Sequence, residues 1–513
     1  MNLKDILMVT AFAFLSMMVV DRLILSRFAQ PEQEEVRSGQ TFSAPQTNQV
    51  IRPINTEIDF IDDKRVYPEV VTEVQTAWAK LTFSSDGASL ERLEFIREES
   101  GQVQHFVTVH PAVSREQKAF LVALDEKTPY FFKLVERKEH EHATELIYEG
   151  SFGDGILRKH FIIQKEICKI DMQLDITPQA HVEREVRTRV FYPAPLMPEL
   201  KKDQMQGLVA DSYDAVTKTP VANVDVQQGW WSPTLFGAEN RYFVHALVAD
   251  QESSLERAYY TITPEKLLIS ILECRSAQAG HTNESMLSFY CGPKDAHSMA
   301  LVDVRLEQTL DYSGWLAPLA KLLLKLLNTL YSYVHNYGVA IILLTLLIKL
   351  VMLPFSLSGE RKMRSGKDMS KKMQHLQRKY KNDPERLRLE QAELIKKHGM
   401  PQLAGCLPQL AQVPIFFALS RILGNAIELY KAPFVGWIQD LSAPDPYYIM
   451  PSLIAIAMVF QALQADAKLR MPFMAGGLFL GAVSANFSAG LVLYIAFSSL
   501  LGVAQSKLQK RMV

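Results

Sequence analysis

Cysteine is scarce in this 513-residue chain, which has only Cys168, Cys274, Cys291 and Cys406, with no CxxC pair and no Cys/His spacing. A structural zinc site and a dense disulfide framework are thereby excluded. Cys274 and Cys291 read as two unpaired core thiols, with a disulfide left open should their segment be exported. A Walker loop, a nucleophile elbow and any metal-binding motif are also missing, so neither cofactor nor metal is expected and catalysis is not the anticipated role. His140-Glu141-His142 is a bare HxH in a charged stretch and reads as a solvated turn. Net charge is nearly absent too, at −1 from 55 basic and 56 acidic residues, but that balance averages unlike segments.

Apolar residues make up 48% of the chain and crowd the region after residue 315. Residues 1–29 hold an uncharged run, Ile6–Val20, followed by Asp21-Arg22-Leu23, which is no small-residue cleavage site; an uncleaved transmembrane anchor is expected. Further spans are expected at 338–357, 405–430, 447–464, 472–485 and 491–506. The last two come from one run, Pro472–Ala504, too long for a single crossing at about 1.5 Å per residue of a core about 30 Å thick. Asn486-Phe487-Ser488-Ala489-Gly490 breaks it as a tight turn, which leaves 472–485 short for a bilayer.

Lysine and arginine orient these spans. Gly359–Met400 carries 13 basic and 6 acidic residues, Lys468 and Arg470 lie between the fourth and fifth spans, and the tail 507–513 adds Lys507, Lys510 and Arg511. The loop 431–446 has one cation, Lys431. Six crossings place every basic loop, and both termini, on the cytoplasmic side.

The expected exported part begins with a polar linker, 30–67, flexible by composition. Across 68–312, short β-branched and aromatic runs alternate with turn residues, as in Ala77–Ser84, Ile156–Ile163, Arg241–Ala249 and Ala258–Thr263, which suggests a β-sandwich. The segment 313–337 places Trp315, Leu316, Leu319, Leu322, Leu323, Leu326, Leu327 and Leu330 at helical spacing, with Lys321, Lys325, Asn328 and Ser332 opposite. An interfacial helix fits this pattern, and a helix packed on the β-domain is the other reading. Residues 358–404 read as a basic helical hairpin whose second helix starts at Asp383-Pro384 and ends at His398-Gly399. It suits either docking to headgroups, RNA or a protein, or a plain topology signal.

Lys349, inside ILLTLLIKLVMLPF, is the most informative residue. A lysine at the centre of a membrane helix costs about 2.5–3.5 kcal/mol, so it should face a wet cavity or a polar partner. Thr345 lies one turn earlier, Gln409 and Gln412 stripe the next span, and Tyr494 and Ser498 mark the last, together outlining a polar groove. Arg421 and Glu428, seven residues apart along one helical face, are a candidate polar pair at the outer end. Gly477 and Gly481 form a GxxxG pattern for close helix packing.

Several motifs resemble the YidC/Oxa/Alb family of insertases in its Gram-negative form with a large periplasmic domain. They are Gly405-Cys406-Leu407-Pro408, Gln412–Leu419 (QVPIFFAL), Ala432-Pro433-Phe434, Trp437–Ser442 (WIQDLS), Asp445–Ile449 (DPYYI) and Ser488–Tyr494 (SAGLVLY). The resemblance is strong over 315–510; the exported domain agrees in size, position and β character. It implies a hydrophilic groove open to the cytoplasm, in which Lys349 holds the place of a central cation that is usually arginine. Thr345 matches a client-contacting position, and Ile495 stands where the family commonly has a second such residue, a tyrosine. Implied partners are nascent membrane proteins, membrane lipids, the Sec translocon, and a ribosome or targeting receptor met by 358–404 and the tail.

The expected architecture is thus a membrane all-α bundle, one N-terminal anchor plus a five-helix core, with a large periplasmic β-sandwich domain. The expected function is a membrane protein insertase and chaperone of the bacterial inner membrane. The alternative is a small-solute channel or transporter using the same buried lysine; such a protein would favour an internal repeat, and the spans show none.

Overall fold

The computed structural model describes residues 53–511 apart from 62–67, 100–101, 112–114, 126, 153–154, 178–185, 199–203, 211–214, 250–253, 278–282, 311–315, 381–382, 399–400 and 465–466. In its helical part the side chains of 355–371, 373–374, 395–411, 464–469 and 506–511 are likewise not described. The expected anchor at 1–29 lies outside the described residues. The chain forms two compact units, one of them Glu34–Asp311 and the other comprising Tyr312–Val513 with the N-terminus.

The first unit is antiparallel β. Its largest sheet has nine strands in the spatial order Thr217–Pro220, Gln206–Ala210, Leu235–Glu239, Phe243–Val248, Asn283–Pro293, Lys169–Thr177, Gly155–Gln164, Ala143–Phe152 and Lys133–Glu139. A four-stranded sheet spans Val71–Val109, and a five-stranded one runs Gly229–Trp231, Leu255–Ile262, Leu268–Ala277, Val186–Pro193, Leu121–Leu124. In Ala143–Phe152 every second residue is buried, the period-2 pattern of a strand with one face on a core. Aromatic rings join the sheets: Phe83 meets Phe161 at 4.9 Å, Phe95 meets Phe243 at 4.8 Å, Tyr192 meets Phe289 at 5.2 Å and Phe236 stacks on Tyr260 at 4.3 Å. Both smaller sheets therefore lie on the nine-stranded one, so the β-sandwich holds in layered form. Each such pair adds about 0.5–1.5 kcal/mol beyond the area it buries.

His140-Glu141-His142 forms the exposed turn between two strands, with the His140 amide donating to Ala143 O at 2.8 Å. Cys168, Cys274 and Cys291 are free and buried, and burial pushes the thiols of Cys274 and Cys291 up to about 12. Lys159 is fully buried mid-strand; its ammonium donates to Gly87 O at 2.5 Å, Phe120 O at 2.9 Å and Ala88 O at 3.3 Å. The expected linker needs one correction. Residues 53–61, its described part, are fastened to the five-stranded sheet, because Arg189 Nη1 donates to the carbonyls of Asn55 and Glu57. Composition reports the polarity of a segment but not the donors waiting for its backbone.

The second unit is helical. Helix α1, Ala296–Ala300, still belongs to the β unit; α2 (Ala317–Val334), α3 (Tyr337–Lys379), α4 (Pro384–His398), α5 (Pro401–Asn425), α6 (Ile449–Gln464), α7 (Ala467–Ser484) and α8 (Ala489–Arg511) follow. Ala320, Leu323 and Leu327 are the buried residues of α2, which packs on α3 and α5 within this unit. His335, left-handed at φ 51°, stops α2, and Asn336 restarts the chain by accepting from the Val339 amide at 3.0 Å.

Three expected boundaries move. The second span and the first hairpin helix are one continuous helix, α3, which runs through Pro354. A proline removes one helical donor, yet good helix formers, Glu360 to Met363, continue the turn sequence beyond it. The last helix continues to Arg511, so most of the expected tail is helical. Helix α5 ends at Asn425, where Ala426 turns extended before a 3₁₀ turn at Ile427–Leu429. Arg421 and Glu428 consequently do not share a helical face. Gly477 and Gly481 do allow close packing: a Cβ on either would sit 2.6 Å from Met458 Cβ or 2.8 Å from Ala455 Cβ on α6. By length and composition one described helix suffices to cross a bilayer, Tyr337–Pro354, with Ile449–Leu463 and Ala489–Gln505 as shorter apolar helices.

Candidate functional site

The site is built where α3, α5 and α8 pack together. Helical spacing sets Thr345 and Lys349 one turn apart on α3, while Leu346, Leu347, Leu350 and Val351 on the other face are exposed. Lys349, half-buried, donates from Nζ to Gln412 Oε1 at 3.3 Å. The same amide donates from Nε2 to Ser498 Oγ at 3.0 Å on α8. Both ends of Gln412 are thus in use, and the serine oxygen orients the amide so that its carbonyl faces the ammonium. A hydrogen bond to a charged group contributes about 1.5–3 kcal/mol, comparable with the cost of placing a lysine at mid-helix. No carboxylate pairs with Lys349 among the described residues. The described partner of Lys349 is therefore a neutral amide.

The remaining expected residues divide. Tyr494, Ile495 and Ser498 are buried on α8 beside this chain of bonds. The Tyr494 hydroxyl has no well-formed hydrogen bond among the described residues. Thr345 is buried and returns its hydroxyl to Ile341 O at 2.7 Å, so its donor is already used. Gln409 is on α5, with its side chain outside the described residues. Arg421, at the other end of α5, is not part of the Lys349 bond chain; Glu428 accepts from Asn328 Nδ2 of α2 at 3.4 Å.

Two aspartates were missed by reading for intramembrane charge alone. Asp445 is buried and accepts from Trp437 Nε1 at 3.0 Å, from the Tyr447 amide at 3.1 Å and from the Met450 amide at 2.8 Å. Asp440 accepts from the amides of Lys431 and Ser442 at 3.1 and 2.7 Å. The first turn of α8 joins this loop, since the amides of Ala489 and Gly490 donate to Ala443 O and Leu441 O. The loop 431–446 is thus a fixed plate over one end of the helices. Asp-Pro followed by aromatic residues was the available signal, since aspartate accepts local amides.

Comparison with known proteins gives the family. The family model described as 60Kd inner membrane protein matches residues 329–513, and that of the YidC periplasmic domain matches 72–326. A membrane protein insertase YidC of Geobacter metallireducens is 31% identical over 502 residues, covering 93% of this chain and 91% of its own. A Geobacter sp. relative of the same name is 34% identical over 336 residues, 63% of this chain and 59% of its own. A solved active YidC insertase with its first transmembrane domain resolved aligns over 88% of this chain and 95% of its own, at 16% identity and a TM-score of 0.38. With a β-rich periplasmic domain followed by a helical inner-membrane region, the chain belongs to the YidC family of membrane protein insertases.

Proposed function

We propose that this chain helps newly made proteins integrate, fold and assemble in the bacterial inner membrane, alone or with the Sec translocon. The observation that carries this reading is Lys349: a cation in an apolar helix whose described partner is the neutral amide of Gln412. A lysine fixed by a carboxylate would be a closed structural pair. Held by an amide that Ser498 orients, it can exchange that amide for an acidic or polar segment of a client. The exposed apolar face of α3 offers the client helix a route into lipid. Partitioning drives the step at about 25 cal/mol per Å² of apolar surface, while the cation shortens the distance over which the polar tail is unsolvated.

In this reading α3, α5, α6, α7 and α8 form a five-helix core behind an N-terminal anchor, both termini are cytoplasmic, and the plate at 431–446 closes the outer end. The basic stretch 358–404 and the end of α8 meet the ribosome or a targeting receptor. The solute-transporter alternative is not favoured, since the relatives described above are insertases. A photoreactive residue at Gln412 should crosslink a stalled nascent chain with a short acidic tail, and one at Phe479, exposed on α7, should crosslink it far less. Equal yields at both positions would defeat the groove reading.

A further inference from the structure

The described part of the linker, residues 53–61, is held mainly through its backbone. Arg189 Nη1 donates to Asn55 O at 2.8 Å and to Glu57 O at 2.9 Å, Tyr259 OH donates to Asn55 O at 2.8 Å, and Arg257 Nη2 reaches Pro53 O at 3.5 Å. Farther along, the Ile61 amide donates to Thr128 O at 2.9 Å and the Thr128 amide to Asp59 O at 2.7 Å, a parallel pairing centred on Phe60. Each of these bonds uses the backbone of the segment, whereas the side chains of Asn55, Glu57 and Asp59 are exposed. Phe60 adds ring contacts, with Tyr130 at 5.1 Å and with the Arg115 guanidinium at 5.6 Å, and Ile54, Ile58 and Ile61 are half-buried.

Arg189 explains why this is more than a tether. It is 3% exposed, and its described acceptors are all peptide carbonyls, those of Asn55, Glu57 and Leu124. Its Nε is buried without a hydrogen bond. Arg257, by contrast, is neutralised by Glu273 at 2.8 Å. The platform thus presents one buried guanidinium and one tyrosine hydroxyl to the backbone of an extended segment, and Phe60 is the one ring it grips. Main-chain recognition of this type is the basis of strand addition, which accepts many sequences.

We infer that the face formed by Arg189, Tyr259 and the Thr128 edge is a binding site for an extended segment of unfolded exported polypeptide, occupied in cis by residues 53–61. The cis segment is a competitor at high effective concentration, so an outside chain binds when it is present in excess or when the strap is removed. This site is independent of the Lys349 groove, and its test reads equilibrium binding only.

The probe is a fluorescein-labelled peptide of residues 53–61, which contains no lysine or arginine, with a peptide of equal composition beside it that is scrambled at every position but Phe60. The protein is the full chain in lipid nanodiscs. Deleting residues 53–59 should tighten binding about tenfold by removing the tethered competitor, and Tyr259→Phe in that background should weaken it again. The scrambled peptide should bind comparably. In the unaltered chain, saturating peptide should speed tryptic cleavage at Lys64 and Arg65, just past Ile61, by freeing the strap. A folded deletion variant that binds no tighter, or a scrambled peptide that does not bind, would overturn the proposal. So would unchanged cleavage at Lys64 and Arg65, a readout that needs no variant.

Discussion

Lys159 and Lys349, one in each unit of this protein, are held in opposite ways. Lys159, in the β unit, is sealed from solvent and gives its ammonium to three backbone carbonyls, those of Gly87, Ala88 and Phe120. Lys349, in the helical unit, is half-buried and gives its ammonium to one side-chain amide. Backbone carbonyls fixed in a turn and a strand cannot leave, so Lys159 is a permanent clamp between the Gly87 turn and the Phe120 segment. A glutamine amide can rotate, so Lys349 can change partners. On the proposed function, what separates the structural cation Lys159 from the working one Lys349 is the mobility of its acceptors, more than the depth of burial. Burial also pulls Lys159 well below the ordinary lysine range, with Lys118 adding repulsion. Lys118 itself is paired with Glu91 at 2.7 Å.

The contrast breaks most visibly at Lys159. Lys159→Met leaves three buried carbonyls without a donor, and at about 1–3 kcal/mol for each unsatisfied group the β unit should lose about 4 kcal/mol. Urea unfolding of the full chain in detergent, followed by tryptophan fluorescence, measures this. Insertion per folded molecule should be unchanged; an insertion defect at full stability would erase the distinction between the two lysines.

A second buried base in the same unit gives a pH test. His245 donates from Nδ1 to Pro193 O and accepts from Thr108 at Nε2, both at 3.2 Å, and burial lowers it from 6.5 to about 4. Between those values the unfolded chain binds a proton that the folded chain refuses. Stability therefore falls as pH drops through this window, by on the order of 3 kcal/mol when fully developed. His245→Gln should flatten the unfolding midpoint between pH 4 and 6.5. A slope that survives the substitution would assign the acid sensitivity to other groups.

On the helical side the effects should appear in rate. Lys349→Ala should slow insertion of a client with an acidic tail about tenfold, the equivalent of about 1.4 kcal/mol, with no loss of stability because a costly intramembrane charge is removed. Lys349→Arg should stay near the parent rate, since the charge is kept even though the guanidinium's planar fork differs from an ammonium. Insertion into reconstituted vesicles distinguishes the two. A severe loss in the arginine variant would mean that size limits the site.

Much of this molecule was legible in advance, for physical reasons that can be named. Lys349 stood out because a charge in an apolar helix has a cost, and costs are visible in sequence. Gln412 and Ser498 followed from helical spacing, and the strand runs from alternation. What stayed hidden depends on distant backbone. The Pro53–Ile61 segment is fixed by Arg189, 134 positions away from Asn55, and no local property of a polar stretch announces such a donor. The continuity of α3 through Pro354 was misjudged because proline is a local signal, whereas the helix is sustained by residues on both sides. Glu428 was assigned to a helical face that does not exist, since Ala426 leaves the helix with nothing in its side chain to mark the exit.

The smallest expected effect is the most discriminating. Ser498→Ala removes the oxygen that fixes the Gln412 amide but leaves Lys349, its charge and its first partner in place. If the cation works through diffuse attraction, freeing the amide should change the insertion rate by less than about threefold, because Coulombic attraction falls only as the inverse of distance. If it works as a donor set at a fixed position, the loosened amide should cost nearly as much as Lys349→Ala. The half-buried state of Lys349 and the neutrality of its partner favour attraction over fixed geometry. A near-neutral Ser498→Ala beside a tenfold slower Lys349→Ala is therefore the expected pattern. Raising the salt concentration should then narrow the gap between parent and alanine variant, since screening acts on a charge that water can reach.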